Sequence, residues 1–429
     1  MSEPAPTPRR GSPDADWFGR ARFGLFVHWD HASAQGLELS WPLVGGLFAL
    51  PKCQSVTVAD YHRSASTFDP TAWDPRALAR LAARAGMQYG VFTAKHHAGY
   101  AMYPTALSEH SVAASPCDRD LVGEWVEALR AEGLRVGLYF SLSDWHHPDY
   151  PAFTDDDRPY LPGFSPPRPS PERWAQYLAF LRGQLREVLT NYGPIDVLWF
   201  DGGWERPPDW WEPAALESMI RDLQPGIRIN DRLPGVADFT TPEQFVPPTP
   251  PGGAWETCLT MNDSWGYVPS DTDYKSAHEL VHTLCEVAAK GGNLLLNVSP
   301  TGTGALPAEQ QERLEQIAAW MTTNAESILD TDPGLEPWQF YGPSTRRGDR
   351  LYLHLLMRPY GQVTVRGVPV RRVTRVTQLG RDDELSYLVR TSVLDRLNAD
   401  PTGELVISVP EDTLDPLATV LALDFEHLD

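Results

Sequence analysis

The sequence predicts an α/β fold, a (β/α)8-like barrel followed by an antiparallel β-sandwich. Three observations carry this prediction. From about residue 20 to residue 330, short apolar β-branched runs alternate with helical patterns, and such alternation produces parallel strands. There are six to eight of these units, which favours a closed barrel over an open sheet. After about residue 335 the helical patterning stops and short strands alternate with turn-forming stretches, the pattern of a small sandwich. A chain of 429 residues accommodates both.

The elements follow in order. Arg22–Trp29 is expected to be the first strand, apolar and aromatic nearly throughout. A helix is expected over Asp74–Gly86, with Pro75 just inside its start, Leu78, Leu81 and Ala82 recurring along it and Gly86 as its stop. Tyr89–Thr93 reads as a strand, Asp120–Glu132 as a helix and Leu134–Ser141 as a strand. Pro171–Asn191 is a long amphipathic helix, Ile195–Phe200 a strand and Pro213–Leu223 a helix. Ile227–Asn230, Trp255–Thr260 and Asn293–Val298 are further strands, and Lys275–Lys290 and Pro307–Ile328 further helices. Leu351–Leu355, Gln362–Val365, Arg372–Gln378, Glu404–Val409 and Thr419–Phe425 are the expected sandwich strands. The domains expected are a flexible terminus at 1–16, a barrel at 17–335 and a sandwich at 336–429, with Asp155–Pro171 a long loop inside the barrel.

Composition narrows the partners. The chain carries 36 basic and 57 acidic residues, a formal charge of −21, and a surface that negative repels phosphate backbones, so no nucleic-acid partner is expected. Residues 1–16 lack the apolar core of a signal peptide and no run is long enough to span a bilayer. Cys53, Cys117, Cys258 and Cys285 show neither disulfide-like nor metal-like spacing. A reduced, cytoplasmic protein without membrane attachment or cofactor is expected. The 15 tryptophans include candidates for platforms under the apolar face of a sugar ring, although most are expected in the core.

Barrel chemistry sits where strands end. The groups at or just beyond the predicted strands are His28-Trp29-Asp30, Lys95-His96-His97, Ser143 to His147, Asp201-Gly202-Gly203-Trp204, Asn230-Asp231-Arg232, Trp255-Glu256 and Asn297 to Pro300. Polar, titratable and aromatic groups thus recur at one geometric position, where a purely structural pattern would scatter them. Adjacent histidines on a strand point to opposite faces, so no metal centre is expected and the histidines read as neutral hydrogen-bond partners. Asp201 follows an apolar strand and precedes two glycines. In isolation it would read as a helix cap, but within this ring of groups it reads as a nucleophile. A partner carboxyl would come from Glu243 or Glu256 in the following segments.

Taken together, Phe26-Val27-His28-Trp29, Lys95-His96-His97 with Gly99-Tyr100, Gly137-Leu138-Tyr139-Phe140-Ser141, Leu198-Trp199-Phe200-Asp201-Gly202 and Asn230-Asp231-Arg232 resemble glycoside hydrolase family 29, the α-L-fucosidases. So do Thr241-Pro242-Glu243, Trp255-Glu256-Thr257-Cys258, Ser264-Trp265-Gly266-Tyr267 and Gly291 to Val298, in the family's order over roughly residues 17 to 330. The resemblance implies a barrel followed by a β-sandwich, no cofactor, and a fucosylated oligosaccharide or glycoconjugate as substrate. It implies Asp201 as nucleophile of a retaining mechanism. It places His28, Trp41, His96, His97, Tyr139, Arg232 and Glu256 around the sugar, and Phe26, Trp199 and Trp265 as an apolar wall for its C5 methyl. Thr241-Pro242-Glu243-Gln244 resembles the branch selective for α-1,3/1,4-linked fucose and favours Glu243 over Glu256 as the acid/base, with the two carboxyl groups about 5–5.5 Å apart.

The sequence departs from the family pattern at three places. Asp30 stands where the family has Gly, Ser40 stands for an acid before Trp41, and Ala98 replaces an Asp. Glu38 is a candidate to supply the missing acidic contact. Two other readings stay open: the same machinery acting on a related sugar such as a β-D-galactoside, and a catalytically silent sugar-binding protein.

Overall fold

The computed structural model describes residues 17–45, 56–150, 154–159 and 169–428, so the terminus expected to be flexible, 1–16, and Cys53 lie outside the described residues. Seven parallel strands form one curled sheet: β1 (Phe23–Val27), β2 (Tyr89–Lys95), β3 (Arg135–Ser141), β4 (Val197–Asp201), β5 (Arg228–Ile229), β6 (Glu256–Leu259) and β7 (Asn293–Val298), in the order β5-β4-β3-β2-β1-β7-β6. The two edges meet through a segment without regular ladder pairing. Single parallel bridges join Asn230 to Phe239, Thr240 to Trp255 and Glu243 to Cys258. Residues 239–243 therefore serve as an eighth stave, and the sheet has the TIM-barrel form that the alternation predicts.

Around it run α2 (Val58–Arg63), α3 (Pro75–Arg84), α4 (Leu121–Ala131), α5 (Pro171–Thr190), α6 (Pro213–Leu223), α7 (Ala277–Ala289) and α8 (Ala308–Asn324), preceded by α1 (Trp17–Ala21). Their starts are set by side chains that accept a backbone N–H three residues on: Asp74 from Ala77, Asp120 from Gly123, Ser170 from Arg173 and Ser276 from Glu279. Five-residue α1 and six-residue α2 are too short for a periodic signal and went unpredicted. α1 seals the lower end of the barrel, with the Phe18 ring 4.3 Å from Phe239 and 5.8 Å from Tyr89. Among the described residues no helix is long and apolar enough to cross a membrane.

The C-terminal part holds two antiparallel sheets. One has the order β12-β15-β10-β9-β8 and the other β11-β14-β13, built from β8 (Asp332–Pro333), β9 (Ser344–Arg347), β10 (Arg350–Leu355), β11 (Gln362–Pro369), β12 (Val373–Gln378), β13 (Tyr387–Arg390), β14 (Thr402–Ser408) and β15 (Thr419–Phe425). Alternation explains how the larger sheet sits. Leu351, Leu353, Leu421 and Leu423 point into the sandwich core with Val365 and Ile407, whereas Tyr352, Val420 and Ala422 join the apolar cluster of the barrel helices. Trp320 of α8 adds a hydrogen bond from Nε1 to the Ala418 carbonyl at 2.8 Å. Both faces of β15 are buried, hence its nearly unbroken apolar run.

Candidate active site

Asp201 ends β4 at the upper rim of the barrel, and its side chain is 13% exposed. The hydroxyl of Tyr139, from the middle of β3, donates to Oδ2 at 2.8 Å, and Arg232 Nη1 reaches Oδ1 at 3.3 Å. Burial pushes the Asp201 carboxyl above its usual range, opposed by the Arg232 charge and by the Tyr139 and Gly202 donors. Arg232 is placed by the loop after β5. This strand is only two residues long, and Asn230 prolongs it: its side chain donates to the Phe200 carbonyl and accepts from the Phe200 N–H. The other end of the guanidinium, Nη2, bonds Glu243 Oε2 at 2.8 Å, while Nε donates to Thr241 Oγ1 at 3.0 Å. One guanidinium thus joins Asp201 to Glu243, which stands on the eighth stave and is well exposed to solvent.

The histidines surround this pair. His28, just beyond β1, has Nδ1 2.8 Å from Asn297 Oδ1. The Asn297 amide donates to the Trp265 carbonyl, so its oxygen faces His28 and accepts from Nδ1–H. Burial lowers the His28 pKa to about 3, so the ring is neutral and Nε2 offers a lone pair. His96 shows the opposite polarity. Ser40 Oγ accepts the Ala98 N–H at 2.7 Å and lies 2.6 Å from His96 Nδ1. The Ser40 proton then goes to Nδ1, which leaves His96 Nε2 as an N–H donor. His97 Nδ1 lies 2.7 and 3.0 Å from the Ser141 and Ser143 hydroxyls. Its Nε2 is buried without a hydrogen bond among the described residues, 3.6 Å from Asp201 Oδ2.

Aromatic rings form the rest. Phe26 lies 5.2 Å from Trp199 and 6.0 Å from Trp265, which in turn lies 4.8 Å from His28. Trp41 meets the edge of His97 at 5.6 Å, as does the exposed Trp204 from the other side. A neutral acceptor, a neutral donor, an apolar wall and two carboxyls on one cation together make a cleft for a small polyhydroxylated ring.

A family profile described as "Alpha-L-fucosidase" matches residues 3–326. The chain belongs to the α-L-fucosidase family. It is 31% identical over 406 residues to the tissue α-L-fucosidase of Bos taurus, covering 88% of this chain and 82% of that one. Among solved structures it resembles α-L-fucosidase isoenzyme 1 from Paenibacillus thiaminolyticus, with TM-score 0.82 and 34% identity over 96% of this chain and 99% of that one. It also resembles the α-L-fucosidase from Vibrio sp. strain EJY3, with TM-score 0.81 and 27% identity over 96% and 73% of the two chains.

The fucosidase accommodates each departure from the family pattern. Asp30 caps the short helix His31–Gln35, accepting the Ala32 N–H at 2.7 Å. Ser40 replaces an acid with the hydroxyl that orients His96, and Ala98 contributes its backbone N–H to that hydroxyl. Glu38 does not face the cleft. Both its oxygens take backbone N–H groups, of Trp265 at 2.6 Å and Gly266 at 2.8 Å, so it fixes the loop that presents Trp265. The glycines after Asp201 serve packing. Gly202 has φ +77 and a Cβ there would meet Ser143 Oγ at 2.5 Å, while one on Gly203 would meet the Arg232 carbonyl at 2.4 Å.

Glu256 corrects the sequence reading. It opens β6 at the lower end of the barrel, fully buried, where Trp199 Nε1 donates to Oε1 at 3.0 Å and the Tyr89 hydroxyl to Oε2. It supports the Trp199 ring from beneath and does not line the cleft.

Burial raises the Glu256 pKa to about 7 from a usual 4.5. Because the folded value lies above the unfolded one, this group stabilises least at high pH: its contribution falls as pH rises from about 4.5 to about 7. Glu256→Gln lacks that slope. Relative to wild type, its unfolding free energy is expected to improve by roughly 2.5 kcal/mol between pH 5 and pH 8, as measured by denaturant titration at the two pH values. Parallel curves for the two proteins would contradict it.

Proposed function

We propose that this fucosidase removes terminal α-L-fucosyl residues from fucosylated oligosaccharides or glycoconjugates by two-step retaining displacement, with Asp201 as nucleophile and Glu243 as acid/base. The observation that carries this reading is the single Arg232 guanidinium holding both carboxyls at the barrel mouth. Asp201 attacks the anomeric carbon while Glu243 protonates the departing oxygen. Glu243 then takes a proton from water, which attacks the same carbon and frees Asp201. His28 accepts from and His96 donates to ring hydroxyls, His97 Nε2 sits beside the nucleophile, and Trp41 borders the cleft. Phe26, Trp199 and Trp265 enclose the C5 methyl, a group worth only about 1 kcal/mol on burial, so its recognition depends on shape.

For linkage we propose α-1,3/1,4 selectivity. The segment Thr241-Pro242-Glu243-Gln244 supports it, and the exposed rings of Trp204 and Phe245 offer surfaces for the sugars of the leaving group. The test uses an aryl α-L-fucoside, a Lewis-type trisaccharide and an α-1,2-fucosylated disaccharide, with NMR of the first-formed fucose. Turnover of the aryl fucoside and the trisaccharide, with α-fucose appearing before its anomer, is expected. No turnover of any fucoside would overturn the reading, β-fucose first would overturn the mechanism, and preference for the α-1,2 substrate would overturn the linkage.

A further inference from the structure

Three histidines from separate segments converge behind the turn that carries His96 and Ala98. His31 begins the short helix after β1, His62 lies on α2 and His110 lies in the loop that follows β2. One ligand nitrogen from each lies within 4.8 Å of the others. Among the described residues His31 Nε2, His62 Nδ1 and His110 Nε2 are all buried and have no hydrogen-bond partner, and His31 as a residue is 0% exposed. Buried polar atoms are nearly always paired, so three orphans on rings whose ligand nitrogens come within 4.8 Å of one another call for a shared partner.

The remaining ring contacts suit ligation. His31 Nδ1 lies 2.7 Å from Ser64 Oγ, which accepts from Gln35 Nε2 at 2.8 Å and donates to the Tyr61 carbonyl at 3.2 Å. With the Ser64 proton so used, His31 carries its own proton on Nδ1 and turns the Nε2 lone pair inward, the arrangement typical of a metal-bound imidazole. The His110 ring faces the Ala98 backbone. Burial keeps the rings neutral, with His62 lowered to about 4. His146 stacks on His110 with ring centroids 3.8 Å apart and covers the outer side.

We propose that His31, His62 and His110 form a site for a divalent transition-metal ion of the zinc class, held by His31 Nε2, His62 Nδ1 and His110 Nε2 with water in the fourth position. Three neutral imidazoles select this class over magnesium or calcium, which require oxygen ligands. Metal–nitrogen bonds of about 2.0–2.1 Å set tetrahedral nitrogens roughly 3.4 Å apart, a spacing that small ring rotations reach. The site differs from the paired histidines weighed in the sequence, since its ligands come from three places with no motif spacing. The ion does not touch the sugar. Through His110, the Ala98 backbone and Ser40 it braces the side of the cleft that orients His96.

The test uses the full chain, freed of any affinity tag, stripped with a chelator and re-equilibrated with Zn2+ or Co2+. About one zinc per chain by elemental analysis, the visible absorption of tetrahedral cobalt and a higher melting temperature with zinc are expected. His62→Ala should bind less than about a tenth of an equivalent, whereas Asp201→Ala should bind as wild type does. Should His62→Ala not fold, Ser64→Ala keeps every ligand and should weaken zinc roughly 10–100-fold. Wild-type protein without stoichiometric metal, His62→Ala with wild-type binding, or Ser64→Ala with unchanged affinity would each overturn the proposal.

Discussion

Asp201→Ala is expected to lower kcat on an aryl α-L-fucoside by about 10^4-fold or more, since it removes the group proposed to form the covalent intermediate. The fold should survive. Asp201 stands at the end of β4, and removing a buried carboxyl also removes its desolvation cost, while Arg232 keeps its bond to Glu243. An unchanged melting temperature with lost turnover separates a chemical role from a structural one. A 2-fluoro-fucosyl fluoride should label the wild-type chain at Asp201 and leave the variant unlabelled by mass spectrometry. Azide should partly restore turnover of the variant and give β-fucosyl azide, because the azide then attacks directly from the face that Asp201 occupied. Normal activity in this variant would remove Asp201 from the mechanism whatever the substrate.

Glu243→Ala should behave differently, and the contrast is diagnostic. A general acid contributes typically about 10^2–10^4-fold, and the need for it grows with the basicity of the leaving oxygen. Loss on the trisaccharide should therefore approach the upper end, while an activated aryl fucoside loses much less. Azide should again restore turnover, but here the product is α-fucosyl azide, formed by attack on the intact fucosyl-enzyme. Arg232 loses one of its two carboxyl partners, and because Glu243 is well exposed the stability change should be under about 1 kcal/mol. Equal activity of Glu243→Ala and wild type on both substrates would transfer the acid/base role to another residue.

Much of the barrel was legible because its strands are short, apolar and each followed by polar groups. Asn293–Val298 and Pro213–Leu223 match their predicted ranges residue for residue. The eighth stave was not legible: residues 239–243 carry a proline and pair only through isolated bridges, so they show no strand period. In the sandwich, β9 ends in Arg-Arg and lacks the apolar content that marks a strand, whereas β13 has that content but is only four residues long and mostly exposed.

The site was legible to the extent that the strand-end rule was applied. Asp201, His28, His96 and Arg232 come after or at the end of a strand and meet at the rim. Glu256 comes at the start of one, and a residue there faces the floor of the barrel; the Trp-Glu motif, taken by itself, hid that geometry. Glu38 and Ser143 act through backbone and ring contacts that no spacing reveals. The convergence of His31, His62 and His110 depends on how three loops pack, which is a tertiary property.

The shared guanidinium has a consequence for the energetics of the proposed cycle. Before reaction Asp201 is ionised and Glu243 carries a proton. In the fucosyl-enzyme Asp201 is a neutral ester and Glu243 has become the anion. Arg232, bonded to both, therefore faces one negative charge in either state, and only the location of that charge changes, from one terminal nitrogen to the other. The barrier between the two half-reactions then includes little cost for reorganising charge in a partly dry cleft, since the cation need not move to follow the anion. Lysine at this position would offer a single point of attachment and would have to swing between the two carboxyls as the charge passes across.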